Sequence, residues 1–422
     1  MDEQFLHYIW KYQKFVKAPV QTTGGHDISI FSTGSHNHDS GPDFEEARIK
    51  IGDIEWAGQV EVHINSSDWI RHNHQTDAAY DNVILHVVWN HDKEITVNSQ
   101  PLPTLELKNN VDLELLNKYK RHIHAVDEIP CSSQLPGIHS LTISGMLDRT
   151  MIDRLASKAE RILQILSKTN NDWEEATYRT LAPNFGFSTN KEAFVRLTEL
   201  LPFSRLKKAL QSAKSTEALL FGQAGFLDEV QDDYQKSLKE EFSYLRQKFQ
   251  LVDPMVKPQW KFGKLRPANF PSVRIAQLAS LLHRHPKLFS LLIETKDLKV
   301  LKKELLVEVS DYWQTHYDFG KARKTPSASM GISSFENLLI NSVAPLLAAY
   351  SKYTDNQDFM NRGVELLESL ASEKNRITKK WGSVGIKPKS AFDSQALIEL
   401  FSNYCKRRRC LQCNIGVEIL TK

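Results

Sequence analysis

Glu55-Trp56-Ala57-Gly58-Gln59-Val60-Glu61-Val62-His63-Ile64 is the stretch that decides the fold. Val60, Val62 and Ile64 recur at period two, so Glu61 and His63 share the opposite face of one strand. Residues 28–31, 47–51 and 83–89 are likewise β-branched and aromatic, with Gly, Asn, Asp or Ser between them, and 102–107 fits a last strand. Upstream, Phe5, Leu6, Ile9, Trp10 and the stretch from Gln13 to Val16 predict an amphipathic helix over 3–16. Residues 1–130 therefore read as an α/β domain.

Beyond about residue 140 the period becomes helical. Leu147, Met151, Ile152, Leu155, Ile162, Leu163 and Leu166 form one stripe, and Asn171 followed by Glu174 predicts the cap of the next helix. Further helices are expected near 190–200, 214–222, 227–250, 272–283, 297–314, 334–350, 359–374 and 391–404. The Pro-containing stretch 253–271 reads as a long surface connection. Residues 131–422 are thus expected to form an α-helical domain ending in a cysteine cluster at 405–413, and the fold class is α+β.

A chain of 422 residues exceeds one ordinary core, and 41% apolar with 25% charged residues excludes disordered and fibrous classes. No stretch approaches the roughly 18 consecutive apolar residues of a membrane span. The N-terminus has neither the basic start nor the apolar run of a secretory signal, so a cytoplasmic location without membrane contact is expected. Four cysteines are too few for a disulfide framework, leaving metal ligation or plain burial. The net charge of +3 conceals an asymmetry. Residues 1–110 hold 16 Asp/Glu against 8 Lys/Arg, whereas residues 374–422 hold 3 against 11. An acidic, His-rich segment suits cations and a basic tail suits phosphate, unless the two ends neutralise each other.

Gly41-Pro42-Asp43 precedes Glu61-Val62-His63 with seventeen residues between Asp43 and Glu61. The arrangement resembles the PD-(D/E)xK nuclease signature. That resemblance implies that Asp43 and Glu61 hold one Mg²⁺ or Mn²⁺, their carboxylates within about 8 Å of each other on one sheet face. A neighbouring base would activate water against a DNA or RNA phosphodiester. His63 stands where those nucleases carry Lys, and it offers a base near neutral pH without the permanent charge. His26, His36, His38, His63, His72, His74, His86 and His91 make eight of the fifteen histidines. Asp68, Trp69, His72, His74, Asp77 and Tyr80 follow the Glu61–His63 strand closely, so a His/carboxylate site for Zn²⁺ or Mn²⁺ is a second possibility. Surface or core histidines are the plainer reading.

Cys405, Cys410 and Cys413 lie within nine residues, and Cys131 is the remaining cysteine. Four thiolates complete a tetrahedral Zn²⁺ site, with sulfurs roughly 3.7–4 Å apart, or a [4Fe–4S] cluster, with sulfurs roughly 6–7 Å apart. The layout resembles the iron–sulfur staple of some recombination and CRISPR-associated exonucleases. Such a staple would close a loop of about 280 residues and restrict the unfolded chain. Lys406, Arg407, Arg408 and Arg409 would offset thiolate charge or contact phosphate. Lys257, Trp260, Lys261, Phe262, Lys264, Arg266, Phe270 and Arg274 interleave cations with rings, a pattern that tracks a phosphate backbone or simply packs on the helical domain.

Several longer strings, among them residues 41–44, 56–63, 66–69, 80–88, 217–225 and 266–271 together with the cysteine cluster, resemble an uncharacterised bacterial family, the domain-of-unknown-function 2851 family. The resemblance runs nearly end to end and implies no activity. The residues themselves point to a metal-dependent nuclease-like protein. The rival is a non-catalytic nucleic-acid or protein-binding scaffold with a structural metal site.

Overall fold

In the computed structural model, residues 2–15, 20–37, 39–326 and 330–422 are described; Val16 and His38 lie outside them. The first helix, α1 (Glu3–Lys11), starts where the Asp2 carboxylate accepts the Phe5 N–H at 2.9 Å. Its Phe5, Leu6, Ile9 and Trp10 are buried. A seven-stranded sheet follows, built from β1 (Val20–Gln21), β2 (Asp27–Ser32), β3 (Ser35–His36), β4 (Phe44–Ile51), β5 (Ile54–Asn65), β6 (Val83–Asn90) and, after the small hairpin of β7 (Thr96–Val97) and β8 (Gln100–Pro101), β9 (Thr104–Glu106). Its order is β1-β2-β4-β5-β6-β9, with β3 also paired to β4.

β2, β4 and β5 form an antiparallel meander, whereas β6 and β9 run parallel to β5. A parallel step needs a crossover. Residues 66–82 supply it with α2 (Asp68–Arg71) and two 3-10 turns. One sheet face, with Ile49, Val60, Val62, Leu85 and Val87, packs with α1 and with Leu116 and Tyr119 of α3 (Leu113–Ile123), a helix that the periodicity does not single out. Leu420 of the terminal helix Asn414–Thr421 joins the same core. Trp69, Tyr80, Val83, Ile95 and Leu102 make a smaller cluster.

The chain divides into two compact units, residues 1–146 with 400–422, and residues 147–399. This differs from the division 1–130 and 131–422, because the cysteine tail belongs to the first unit. The second unit is helical around a core that includes Leu155, Leu181, Phe194, Phe221, Leu278, Trp313 and Leu347. Its helices fall where the 3.6-residue period places them, with local differences. Asp172, not Asn171, caps Trp173–Phe185, because its carboxylate accepts the Glu174 and Glu175 N–H groups while Asn171 sits at φ 58°. Residues 297–314 break into Leu298–Leu305 and Asp311–Thr315. The helical run Ile332–Thr354 contains a π-turn at Leu339–Val343; its length and apolar composition suit a membrane span, yet 72% of its most apolar window is buried in the protein. In the 253–271 connection, Trp260 is buried and donates to the Ala224 carbonyl at 2.9 Å, and Phe262 packs on the core. Arg274 is also buried, donating to Gln277 and Asn269. The rings and this guanidinium thus serve packing, while Lys257, Lys261, Lys264 and Arg266 remain exposed.

Candidate metal centre

Asp43 immediately precedes β4, and a bulge in that strand determines where it points. From Ala47 to Ile51 the β4–β5 register follows Ala47↔Gly58, which continued backward would set Asp43 opposite Val62 on the core face. Glu46 takes a left-handed conformation, φ 58°, and the register shifts to Phe44↔Val60. One inserted residue flips the alternation, so Phe44 enters the core and Asp43 lies opposite Glu61 on the other face. The two strands are tied reciprocally. The Asp43 N–H donates to Glu61 Oε2 at 3.1 Å, and the Val62 N–H donates to Asp43 Oδ2 at 3.0 Å.

Two turns after β5 bring in the histidines. Ser66 and Ser67 are held by Asp92, and the buried Asp68 carboxylate accepts the Asn65 N–H at 3.0 Å, which shapes the start of α2. Asn73, at φ 63°, then turns the chain so that His72 and His74 both reach His63. Asn tolerates this conformation better than most residues. His63 Nε2 lies 3.1 Å from His72 Nδ1 and 3.4 Å from Glu61 Oε1, and His74 Nε2 lies 3.3 Å from the same oxygen. Ligands about 2.0–2.1 Å from one tetrahedral ion are separated by roughly 3.3 Å, so these hydrogen-bond and ion-pair spacings are also compatible with groups that hold one cation. Among the described residues, His63, His72 and His74 are the group of histidine, cysteine or acidic side chains whose ligand atoms all lie within 4.8 Å of one another.

The centre is buried on the strand side and open at His72, which is exposed, with His74 half-buried between. His63 is 2% exposed and Glu61 5%. The other His63 nitrogen, Nδ1, sits 2.9 Å from His86 Nε2, so both ring nitrogens are engaged. His74 stacks on Tyr80 with centroids 3.8 Å apart, and Trp69 packs edge-on against His74 and His86. His74 Nε2 makes no hydrogen bond of good geometry among the described residues, and its near neighbour is Glu61 Oε1 at 3.3 Å, whose charge it favours. Burial raises the Glu61 carboxyl and the Asp43 charge adds to it, against the opposing pull of His74. Burial pushes His63 down to about 2, helped by His86, His74, His72 and Arg71, and His86 down to about 3. Both rings are therefore neutral at pH 7, the state in which imidazole ligates metals.

Asp43 Oδ2 also lies 3.2 Å from His7 Nε2, and the His7 ring packs edge-on against His36. Sequence reasoning passes over His7, which comes from α1 far from the strands; its place one turn before Trp10, between core-facing Leu6 and Tyr8, is the faint signal for it. His26 and His91 line a separate 800 Å³ cavity with Trp56 and Thr104. Asp77 caps the turn before Tyr80 by accepting the Ala79 N–H.

All four cysteines are buried in the first unit. The charge each would carry as a thiolate acts on the others, Cys131 with Cys410 and Cys413, and Cys405 with all three. They therefore share one neighbourhood, across more than 270 residues of sequence. Burial pushes the Cys131 and Cys410 thiols up to about 12.

The sequence profile described as "Protein of unknown function (DUF2851)" matches residues 3–376. The chain belongs to this family. The matched segment carries Asp43, Glu61, His63, His72, His74 and Cys131, whereas Cys405, Cys410 and Cys413 lie beyond it. No curated protein and no solved structure matches the chain. Within this DUF2851 protein, the strings at 41–44, 56–63, 66–69 and 80–88 are the segments that build the centre.

Proposed function

We propose that the first unit is a metal-dependent, nuclease-like hydrolase of DNA or RNA phosphodiester bonds. The observation that carries this reading is the cross-strand pair of Asp43 and Glu61 beside the imidazoles of His63, His72 and His74. The reading is supported by the strand order, in which the acid stands just before β4 and the acid-x-His on the adjacent β5. In this reading Glu61 and the three histidines hold a divalent ion, and the nitrogen-rich set favours Mn²⁺ or Zn²⁺ over Mg²⁺. His63 serves as a ligand, both of its nitrogens being occupied, and Asp43 completes the acidic wall beside the ion. The ion would polarise the scissile phosphate and supply hydroxide near neutral pH. Asp43, paired with His7 at 3.2 Å, would orient that water and take up its proton.

The rival reading, a binding scaffold in which the same ligands hold a structural ion, is favoured by the burial of Glu61 and His63. Cleavage separates the two. Purified protein incubated with single- and double-stranded DNA and with RNA should cut at least one of them in Mn²⁺. Glu61→Gln and Asp43→Asn should each reduce cutting to background while leaving the far-UV circular dichroism unchanged. His74→Ala should weaken metal binding by at least about tenfold, since even partners one shell removed from a metal have effects of that size. A wild-type protein that binds metal stoichiometrically yet cuts none of the three substrates in Mn²⁺, Zn²⁺ or Mg²⁺ would establish the scaffold instead.

A further inference from the structure

The four cysteines form a second cluster of ligand-type side chains, separate from the histidine centre. Cys131 lies just past α3, in a turn where its carbonyl accepts the Gln134 and Leu135 N–H groups at 2.9 and 3.1 Å. Cys405 ends a π-helical turn, Leu400–Cys405, Cys410 opens a 3-10 turn, and Cys413 precedes the terminal helix. These segments are clamped together by contacts other than the sulfurs. The Arg408 guanidinium donates to the Asp127 and Ala125 carbonyls at 2.9 and 2.7 Å. Glu418 Oε1 accepts the His139 N–H at 3.1 Å, and Lys422 Nζ donates to the Gly137 carbonyl at 2.6 Å. Gly416 passes so near the cysteine turn that a Cβ there would sit 2.1 Å from the Cys410 carbonyl oxygen.

Four buried sulfurs held by such clamps are a poor filling for a core, because thiols pack as small hydrophobes and gain nothing from gathering in one place. They are a good thiolate cage, and soft sulfur ligands select Zn²⁺ or iron–sulfur clusters. Spacing distinguishes the two. A single Zn²⁺ with sulfurs near 2.3 Å draws every pair to roughly 3.8 Å. Among the described residues no three of these sulfurs lie within 4.8 Å of one another, even though each acts electrostatically on its neighbours. The cage is wider than one ion.

We propose that Cys131, Cys405, Cys410 and Cys413 ligate one cubane iron–sulfur cluster of the [4Fe–4S] class, which staples residues 400–422 to the segment after α3. The Arg408 guanidinium, close enough to act on Cys405 and Cys410, offsets part of the net negative charge of a cluster with four thiolates. The proposal stands apart from phosphodiester cleavage, since none of the four cysteines belongs to the histidine centre.

Acid-labile sulfide decides it, because neither the histidine site nor a zinc site contains any. Full-length protein purified without oxygen should be brown and should hold about four iron and four sulfide per chain. Its visible absorbance should bleach with dithionite. Cys131→Ser and Cys413→Ser, made separately so that one misfolded variant does not end the test, should each lose most of the sulfide. Loss of the cluster should also open residues 400–422 to limited proteolysis while the fragment spanning β4 and β5 stays protected. Sulfide-free protein carrying one zinc per chain, or colourless protein with four alkylatable thiols after denaturation, overturns the proposal, as does wild-type sulfide in both variants.

Discussion

Glu61 and His63 are two positions apart on one strand, and burial shifts them in opposite directions, up for the carboxyl and down for the imidazole. Each shift disfavours charge, as removal from water requires of a buried ionisable group. A pH dependence of the metal-free fold follows. His63 and His86 titrate at about 2 and about 3 in the folded chain against 6.5 when exposed. A lowered folded value means that the stability gained is present above pH 6.5 and is lost as pH falls toward the folded values. Between about pH 6 and pH 3 each ring should therefore steepen the loss by roughly 1.4 kcal/mol per pH unit. Glu61, raised, acts with the opposite sign, and since its folded and unfolded forms differ in protonation only above pH 4.5, it offsets part of this on the near-neutral side and nothing below. Urea unfolding of chelator-treated protein across that range measures the slope, and His63→Asn and His86→Asn should each flatten it. Slopes identical to wild type would mean that the two rings are not held neutral by the fold.

At the scale of the element, the β4 bulge matters more than any single ligand. Strands tolerate an extra residue where a side chain must be re-aimed, and here the residue re-aimed is Asp43. Gly34 guards the bulge. It adopts φ 87°, and a Cβ on it would fall 2.5 Å from the Glu45 carbonyl oxygen and 3.2 Å from the Ala47 nitrogen. Gly34→Ala should therefore strain the β3–β4 contact, lower stability by about 1–3 kcal/mol and weaken metal binding. Calorimetry with Mn²⁺, alongside thermal melts, checks both effects; unchanged metal affinity would show that Asp43 keeps its place without the bulge. The crossover is the second element that counts, since Asp68, Asp92 and Asn73 together shape the turn from which His72 and His74 extend.

For the whole molecule, the first unit is completed by the last residues of the chain. Leu420, 3% exposed, sits in the core with α1 and the sheet. Leu420→Ala should cost about 2–5 kcal/mol. Because the two units have separate cores, the loss should appear in the unfolding transition of the first unit, followed through α1 and the sheet by hydrogen exchange, and leave that of the second in place. An equal shift of both would mean that they unfold as one. The amino-acid sequence by itself determined the α+β class, the strands and their faces, and most helices, because periods of two and 3.6 residues are local properties. It also singled out Asp43, Glu61, His63 and the four cysteines by type and spacing. Tertiary structure alone decided the rest. A one-residue bulge, invisible in the alternation of polar and apolar side chains, turned Asp43 to face Glu61. The turn at Asn73 brought His72 and His74, already marked by their closeness to the Glu61–His63 strand, onto His63. Contacts between distant segments added His7 from a helix and returned the cysteine tail to the unit where the chain begins. Local periodicity carries no information about partners more than 270 residues away, so those choices appear only when the chain is folded.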